Sequence, residues 1–231
     1  MTSSIWRALG NTYVVVEPHS RLDSGAARSL ASGMDGVLEI VAAGPGRVEI
    51  AIWNPDGSRA ELSGNGTRIA AAWHAALSHE DRVDVVVGDR IVETTISADG
   101  AIEQDLGRVV VGDPETVFGI RFVPVSVGNP HAVVVGDPER ILDFGPMLET
   151  HPRFPDRTNV QVARVDRPGE VTARVWERGV GETASSGTSA VAVAAATHGD
   201  GDVVVHFPGG DLRVRLEGGR ALLYGSAERI S

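Results

Sequence analysis

Two short segments carry residue types that chemistry could use. Ser63-Gly64-Asn65-Gly66-Thr67 and Ser185-Ser186-Gly187-Thr188 each set a small hydroxyl beside glycine. Each opens an alanine-rich run, 67–77 and 188–197, free of glycine and proline, which is helix-forming composition. The first N–H groups of a helix have no internal partner and carry about half a positive charge. A glycine there removes the Cβ that would obstruct a ligand, so each junction is a ready anion site. Serine is also a preferred N-cap, so either junction alone reads as a cap. Two junctions at matched positions, facing each other across a cleft, could hold one carboxylate between them.

The elements that position these junctions follow from an internal repeat. Leu9-Gly10-Asn11, Val14-Val15-Val16 and Pro18 recur as Val127-Gly128-Asn129, Val133-Val134-Val135 and Pro138, the asparagines 118 residues apart. Pro45-Gly46 leads through Val48, Ile50 and Ile52 to Trp53, and Pro168-Gly169 leads through Val171, Ala173 and Val175 to Trp176. Ten residues after each tryptophan comes Ser63 or Ser186, and Asp84-Val85-Val86-Val87 recurs as Asp202-Val203-Val204-Val205. Segments 47–53 and 170–176 alternate polar and apolar, as half-buried strands do, and Trp53 and Trp176 read as core. Pro55-Asp56-Gly57, Ala98-Asp99-Gly100 and Glu217-Gly218-Gly219 are turn signals. The expected fold class is α+β, with two pseudo-symmetric halves, 1–112 and 113–231, each a mixed or antiparallel sheet around one central helix.

Composition excludes several chemistries. The 231 residues contain no cysteine, and all 21 basic residues are arginine. Thiol catalysis, thiolate metal sites, a lysine aldimine with pyridoxal phosphate and a P-loop are therefore outside this chain's means. The net charge of −10 argues against nucleic-acid partners. No apolar stretch reaches the roughly 20 residues of a membrane span, and residues 1–10 lack a secretory pattern, so a cytoplasmic location is expected. His19, His74, His79, His151, His198 and His206 show no metal-ligand spacing, and no metal is expected.

The strings Leu62–Arg68 and Glu177–Thr188 resemble the two active-site motifs of the diaminopimelate epimerase family. Gly10-Asn11, Asn54-Pro55-Asp56-Gly57, Gly128-Asn129-Pro130-His131 and Thr158-Asn159-Val160 resemble that family's substrate-binding segments, in the same order. The likeness runs from about residue 9 to 225. It implies two α+β halves with the active site between them, and cofactor-independent inversion of an amino-acid α-carbon. One group removes the α-proton and another, on the opposite face, returns one; the enolate-like charge is stabilised by helix N-termini. The implied substrate is LL- or meso-diaminopimelate, in lysine and peptidoglycan precursor synthesis, and a homodimer is a possible assembly.

By position, the resemblance assigns the catalytic pair to Ser63 and Ser186. Substrate contacts fall to Asn11, Asn54, Gly64, Asn65, Asn129, Asn159, Gly187 and Thr188, with Glu177 on the ammonium and Arg178 on a carboxylate through its planar fork. His131 would orient the contacting groups from behind. Any one of the asparagines also reads as a turn former.

The chain departs from the family at the reacting atoms, where cysteines become serines. An alcohol is far less acidic than a thiol of pKa about 8.5, so serine keeps the shape and loses most of the basicity. Three accounts stay open: thiols deliberately replaced, native serines working with another base (Glu61, Glu182 or His131), or an amino-acid binder without catalysis. A sister isomerase using carboxylates is the alternative enzyme. Arg7-Ala8, Thr12 and the short segment Ser32–Gly36 also differ from the family's usual residues, which leaves a different amino-acid substrate open.

Overall fold

In the computed structural model, which describes residues 2–17 and 21–231, the chain forms two compact units, Met1–Asp105 with Tyr224–Ser231, and Leu106–Leu223. Pro18 and His19, named above, lie outside the described residues. Along the chain the unit changes within strand Ile102–Arg108, and residues 224–231 return to the first unit. There Trp6 and Arg7 pair with Arg229 and Glu228, and Ile5 N–H donates to Ser231 O at 2.8 Å.

The first unit strings its strands in one order. Ser3–Ala8 pairs antiparallel with Asn11–Val16, which runs parallel to Gly36–Gly44. Gly36–Gly44 pairs antiparallel with Arg47–Trp53, which runs parallel to Arg82–Val87, itself antiparallel to Arg90–Ile96. The second unit repeats the pattern with Ile120–Ser126, Pro130–Val135, Asn159–Arg167, Glu170–Glu177, Gly201–Phe207 and Gly210–Glu217. Both units carry a register slip in the same hairpin, between Ile40 and Ala42 in one and, two residues nearer the turn, between Val165 and Arg167 in the other. Each following hairpin turns on Pro-Gly, with Gly46 at φ 63° and Gly169 at φ 78°, the left-handed setting that a turn of this kind reserves for glycine.

Four α-helices pack on these sheets: α1 (Ser24–Leu30), α2 (Gly64–Ser78), α3 (Ile141–Glu149) and α4 (Gly187–Thr197). Residues 64–71 of α2 and 187–194 of α4 are all buried. A helix enclosed on every side must carry small side chains, which accounts for the alanine runs. Expectation gave each half one principal helix, and α2 and α4 fill that role. The additional α1 and α3 cover the other sheet face: Ala27 and Ala31 pack with Val14, Val16 and Val37, and Ile141 and Leu148 with Val134, Val160 and Val162. Burial on both faces explains the unbroken valine runs.

Each tryptophan at a strand end is held by an acid. Trp53 Nε1–H donates to Glu39 at 2.9 Å and Trp176 Nε1–H to Glu149 at 2.7 Å. The two carboxylates come from non-equivalent elements, a strand in one unit and the end of α3 in the other, so the halves reach the same solution separately. Gly36 is the tightest point near Tyr13. A Cβ there would lie 2.6 Å from the Trp53 carbonyl oxygen and 2.7 Å from Tyr13 Cε1. Gly36→Ala is expected to lower stability by about 1–3 kcal/mol, read as a drop in urea midpoint; an unchanged midpoint would show that the ring has room.

Candidate functional site

At the start of α2, Ser63 is the N-cap, extended at φ −139° and ψ 118°. Its Oγ accepts the Gly66 N–H at 3.0 Å and lies 3.2 Å from the Tyr13 hydroxyl. Gly66 permits this: a Cβ there would press on Ser63 Cβ at 3.2 Å and Leu38 at 3.1 Å. Asn65, buried in the first turn, donates through Nδ2 to Asn11 Oδ1. The Arg68 guanidinium donates Nη2–H to Asn65 Oδ1 and Nη1–H to Gln104 Oε1, and Gln104 Nε2–H donates to Thr67 Oγ1.

Arg68 is fully buried, and its acceptors are neutral amides. Burial pulls its pKa down to about 9, opposed by the Tyr13 oxygen, so the charge persists at neutral pH. Added to the helix terminus, it makes this corner of the first unit strongly anion-attracting.

At the start of α4, Ser186 is the N-cap at φ −150° and ψ 129°, with no side-chain cap hydrogen bond. Asn129 Nδ2–H reaches Thr188 Oγ1 at 3.4 Å. Behind it His131 is buried between Asn129 Oδ1 on Nε2 and Gln161 Nε2 on Nδ1, both at 3.0 Å. Gln161 Nε2 can only donate, so Nδ1 accepts and Nε2 carries the proton to Asn129. Burial, helped by the Arg178 charge, holds the imidazole neutral down to about pH 3. Gln161 also donates to Ser189 Oγ at 2.9 Å. Asn159 Nδ2–H holds the Pro130 carbonyl, and its Oδ1 accepts the Arg178 N–H, both at 3.0 Å.

Within each unit the structure therefore gathers the residues expected of it: Asn11, Ser63, Gly64 and Asn65 in the first, and Asn129, His131, Asn159, Arg178, Ser186, Gly187 and Thr188 in the second. Glu177 accepts the Thr183 hydroxyl at 2.6 Å. Asn54 instead stitches its own turn, donating Nδ2–H to Ser58 Oγ at 3.0 Å. Of the alternative bases, Glu61 is exposed, Glu182 is paired with Arg174 at 2.6 Å, and both His131 nitrogens are committed. His131 Nε2–H thus holds Asn129 Oδ1.

The sequence reading missed Tyr13, Arg68, Gln104, Gln161 and Ser189 as parts of these clusters. Tyr13 had a signal, since the 118-residue offset that relates Asn11 to Asn129 relates Tyr13 to His131. Gln161 had another, a polar side chain at an inward position of an apolar strand.

Among the described residues no group of three or more His, Asp or Glu could hold a metal ion, and no helix is long and apolar enough to cross a membrane. The family model described as diaminopimelate epimerase matches residues 4–112 and 123–229. The chain belongs to the diaminopimelate epimerase family. It is 34% identical to diaminopimelate epimerase 2 of a Nostoc species, over 92% of this chain and 87% of that one. It is also 34% identical to the diaminopimelate epimerase of Desulforudis audaxviator, over 96% and 94%. A solved hydroxyproline epimerase from Agrobacterium vitis, with bound trans-4-hydroxy-L-proline, shares the fold at a TM-score of 0.70 and 13% identity, covering 99% of this chain and 89% of that one. These relatives are isomerases. In this member of the diaminopimelate epimerase family, the two cap positions that the motifs mark hold oxygen, not sulfur.

Proposed function

We propose that the chain is a cofactor-independent epimerase that inverts the α-carbon of an amino acid, with diaminopimelate as the substrate, acting in the cytoplasm on the route to lysine and peptidoglycan precursors. The observation that carries this reading is the matched pair of buried helix N-termini. Each is capped by serine, opened by glycine and flanked by an asparagine, Asn11 at the start of its strand or Asn129 just before the equivalent strand. Inversion needs a proton group on each face of a planar intermediate, so the reading assigns Ser63 to one face and Ser186 to the other. The N–H groups of Gly64, Asn65, Gly187 and Thr188 stabilise the charge that develops on the substrate carboxylate. Asn159 and Arg178 bind polar groups of the substrate, and Glu177 its ammonium.

Incubation with LL- or meso-diaminopimelate in deuterated water tests this. Deuterium at the α-carbon with interconversion of the isomers is the expected result. Thermal stabilisation by diaminopimelate without any exchange would make the protein a binder, and neither effect would remove diaminopimelate as the ligand. Asn129→Ala is expected to raise KM about tenfold or more, since it removes a hydrogen bond to a charged group worth roughly 1.5–3 kcal/mol. An unchanged KM would return Asn129 to a purely structural place.

A further inference from the structure

A serine hydroxyl that caps a helix is a poor base, yet Ser63 is not alone. Tyr13 reaches its Oγ at 3.2 Å, with either hydroxyl able to donate, and Gly66 N–H occupies one lone pair of that oxygen, so an ionised Tyr13 would receive the Ser63 proton. The Tyr13 ring is largely buried and seated by Gly36, whose missing Cβ would otherwise meet the ring at 2.7 Å. A buried guanidinium, Arg68, lies within electrostatic reach of the Tyr13 oxygen. It has no carboxylate partner among the described residues, and its Nε has no hydrogen-bond partner at all. A buried cation without an anion favours formation of one nearby. Phenols titrate near 10, only about 1.5 units above a thiol, so a phenol recovers much of the basicity that the change to serine removes.

We propose that Tyr13 is the proton acceptor behind Ser63. Its phenolate takes the Ser63 Oγ proton as that oxygen takes the α-proton of the bound amino acid, and the two transfers reverse to return it. One proton leaves carbon, one reaches the phenolate, Ser63 ends as a hydroxyl, and the negative charge moves to the substrate. Tyr13 acts through Ser63 and is in that sense a positioning residue; it touches no substrate. This proposal rests on the reading that an amino acid binds at the start of α2.

The residue that the repeat sets against Tyr13 in the second unit is His131, and its nitrogens hold Asn129 and Gln161. The relay is therefore a feature of the Ser63 side.

Deuterium uptake at the α-carbon of diaminopimelate tests the relay in four proteins: the unsubstituted chain, Tyr13→Phe, Ser63→Cys, and Tyr13→Phe with Ser63→Cys. Loss of the phenol is expected to slow exchange about 100-fold or more in the serine background. Where a thiol stands at position 63 the same change is expected to cost less than tenfold. Phenylalanine keeps the ring, and exchange by the double variant shows that the fold survives. An equal loss in both backgrounds, or a loss under threefold in the serine background, would overturn the relay. If Ser63→Cys with Ser186→Cys exchanges diaminopimelate while the unsubstituted chain does not, the relay fails and the family reading stands. If that variant is also inert, the functional reading fails with it.

Discussion

Replacing Ser63 and Ser186 together by cysteine is expected to raise α-proton exchange and inversion by about 10³-fold or more, the scale that positioned acid–base groups contribute. The argument is one of basicity. A helix N-terminus can lower a thiol from its free value of about 8.5 by several units, and each unit is worth about 1.4 kcal/mol. Both caps have that setting, and Arg68 adds a buried charge beside the first. The substitutions should fit. Ser186 makes no cap hydrogen bond to lose, and at Ser63 the one cap bond, from Gly66, can be made to sulfur. Chiral separation of LL- and meso-diaminopimelate with time is the measurement; a double variant no faster than the unsubstituted chain would refute a thiol-type mechanism on this scaffold.

The second large effect is on acid stability. His131 is held neutral by burial, with a pKa of about 3, whereas an unfolded histidine takes a proton near 6.5. As pH falls from about 6.5 to 3 the unfolded chain therefore binds a proton that the folded chain refuses. Stability is lost at about 1.4 kcal/mol per pH unit across that window, and is fully present above it. Glu149 adds a lower window. Desolvation alone would raise its pKa, but hydrogen bonds from Trp176, Gly179 and Arg157 outweigh it and hold it below the usual carboxylate value. Its contribution is present above about 4.3 and disappears as pH falls through the lower folded value. Urea midpoints at pH 7, 6, 5 and 4 should thus fall steeply for the unsubstituted chain. His131→Gln should start lower and fall less between pH 6 and 4, and parallel curves would contradict a buried neutral imidazole.

Much of the architecture was legible because it is written twice. The alternation of 47–53 and 170–176, the two Pro-Gly turns and the two alanine runs are local patterns, and each became the expected strand, hairpin or enclosed helix. The helix starts at Gly64 and Gly187 were legible for the same reason, since a hydroxyl before glycine before an apolar run is a local signal. What escaped was whatever depends on a distant partner. Tyr13 and Ser63 are separated by fifty residues, Arg68 and Gln104 by 36, and His131 and Gln161 by 30. No periodicity records such meetings. Glu39 and Glu149 stand out only as charges within apolar surroundings, with nothing to say that an indole waits for each. Asn54 lies in a turn that Asn-Pro-Asp-Gly makes legible, and its amide donates within that loop; the substrate contact that the resemblance implies for it depends on a ligand, which no local pattern records.

The pairing of the final residues with the first strand bears on how the chain is made. Translation delivers the strands of residues 3–105 first, but their edge waits for Glu228, Arg229 and Ser231, which are made after the whole second unit. The unit begun first is thus completed after the one encoded in between, whose strands all precede residue 224. A gene cut after residue 105 would encode the first unit without that strand, so an isolated amino-terminal half needs residues 224–231 supplied by fusion or by circular permutation before it can close.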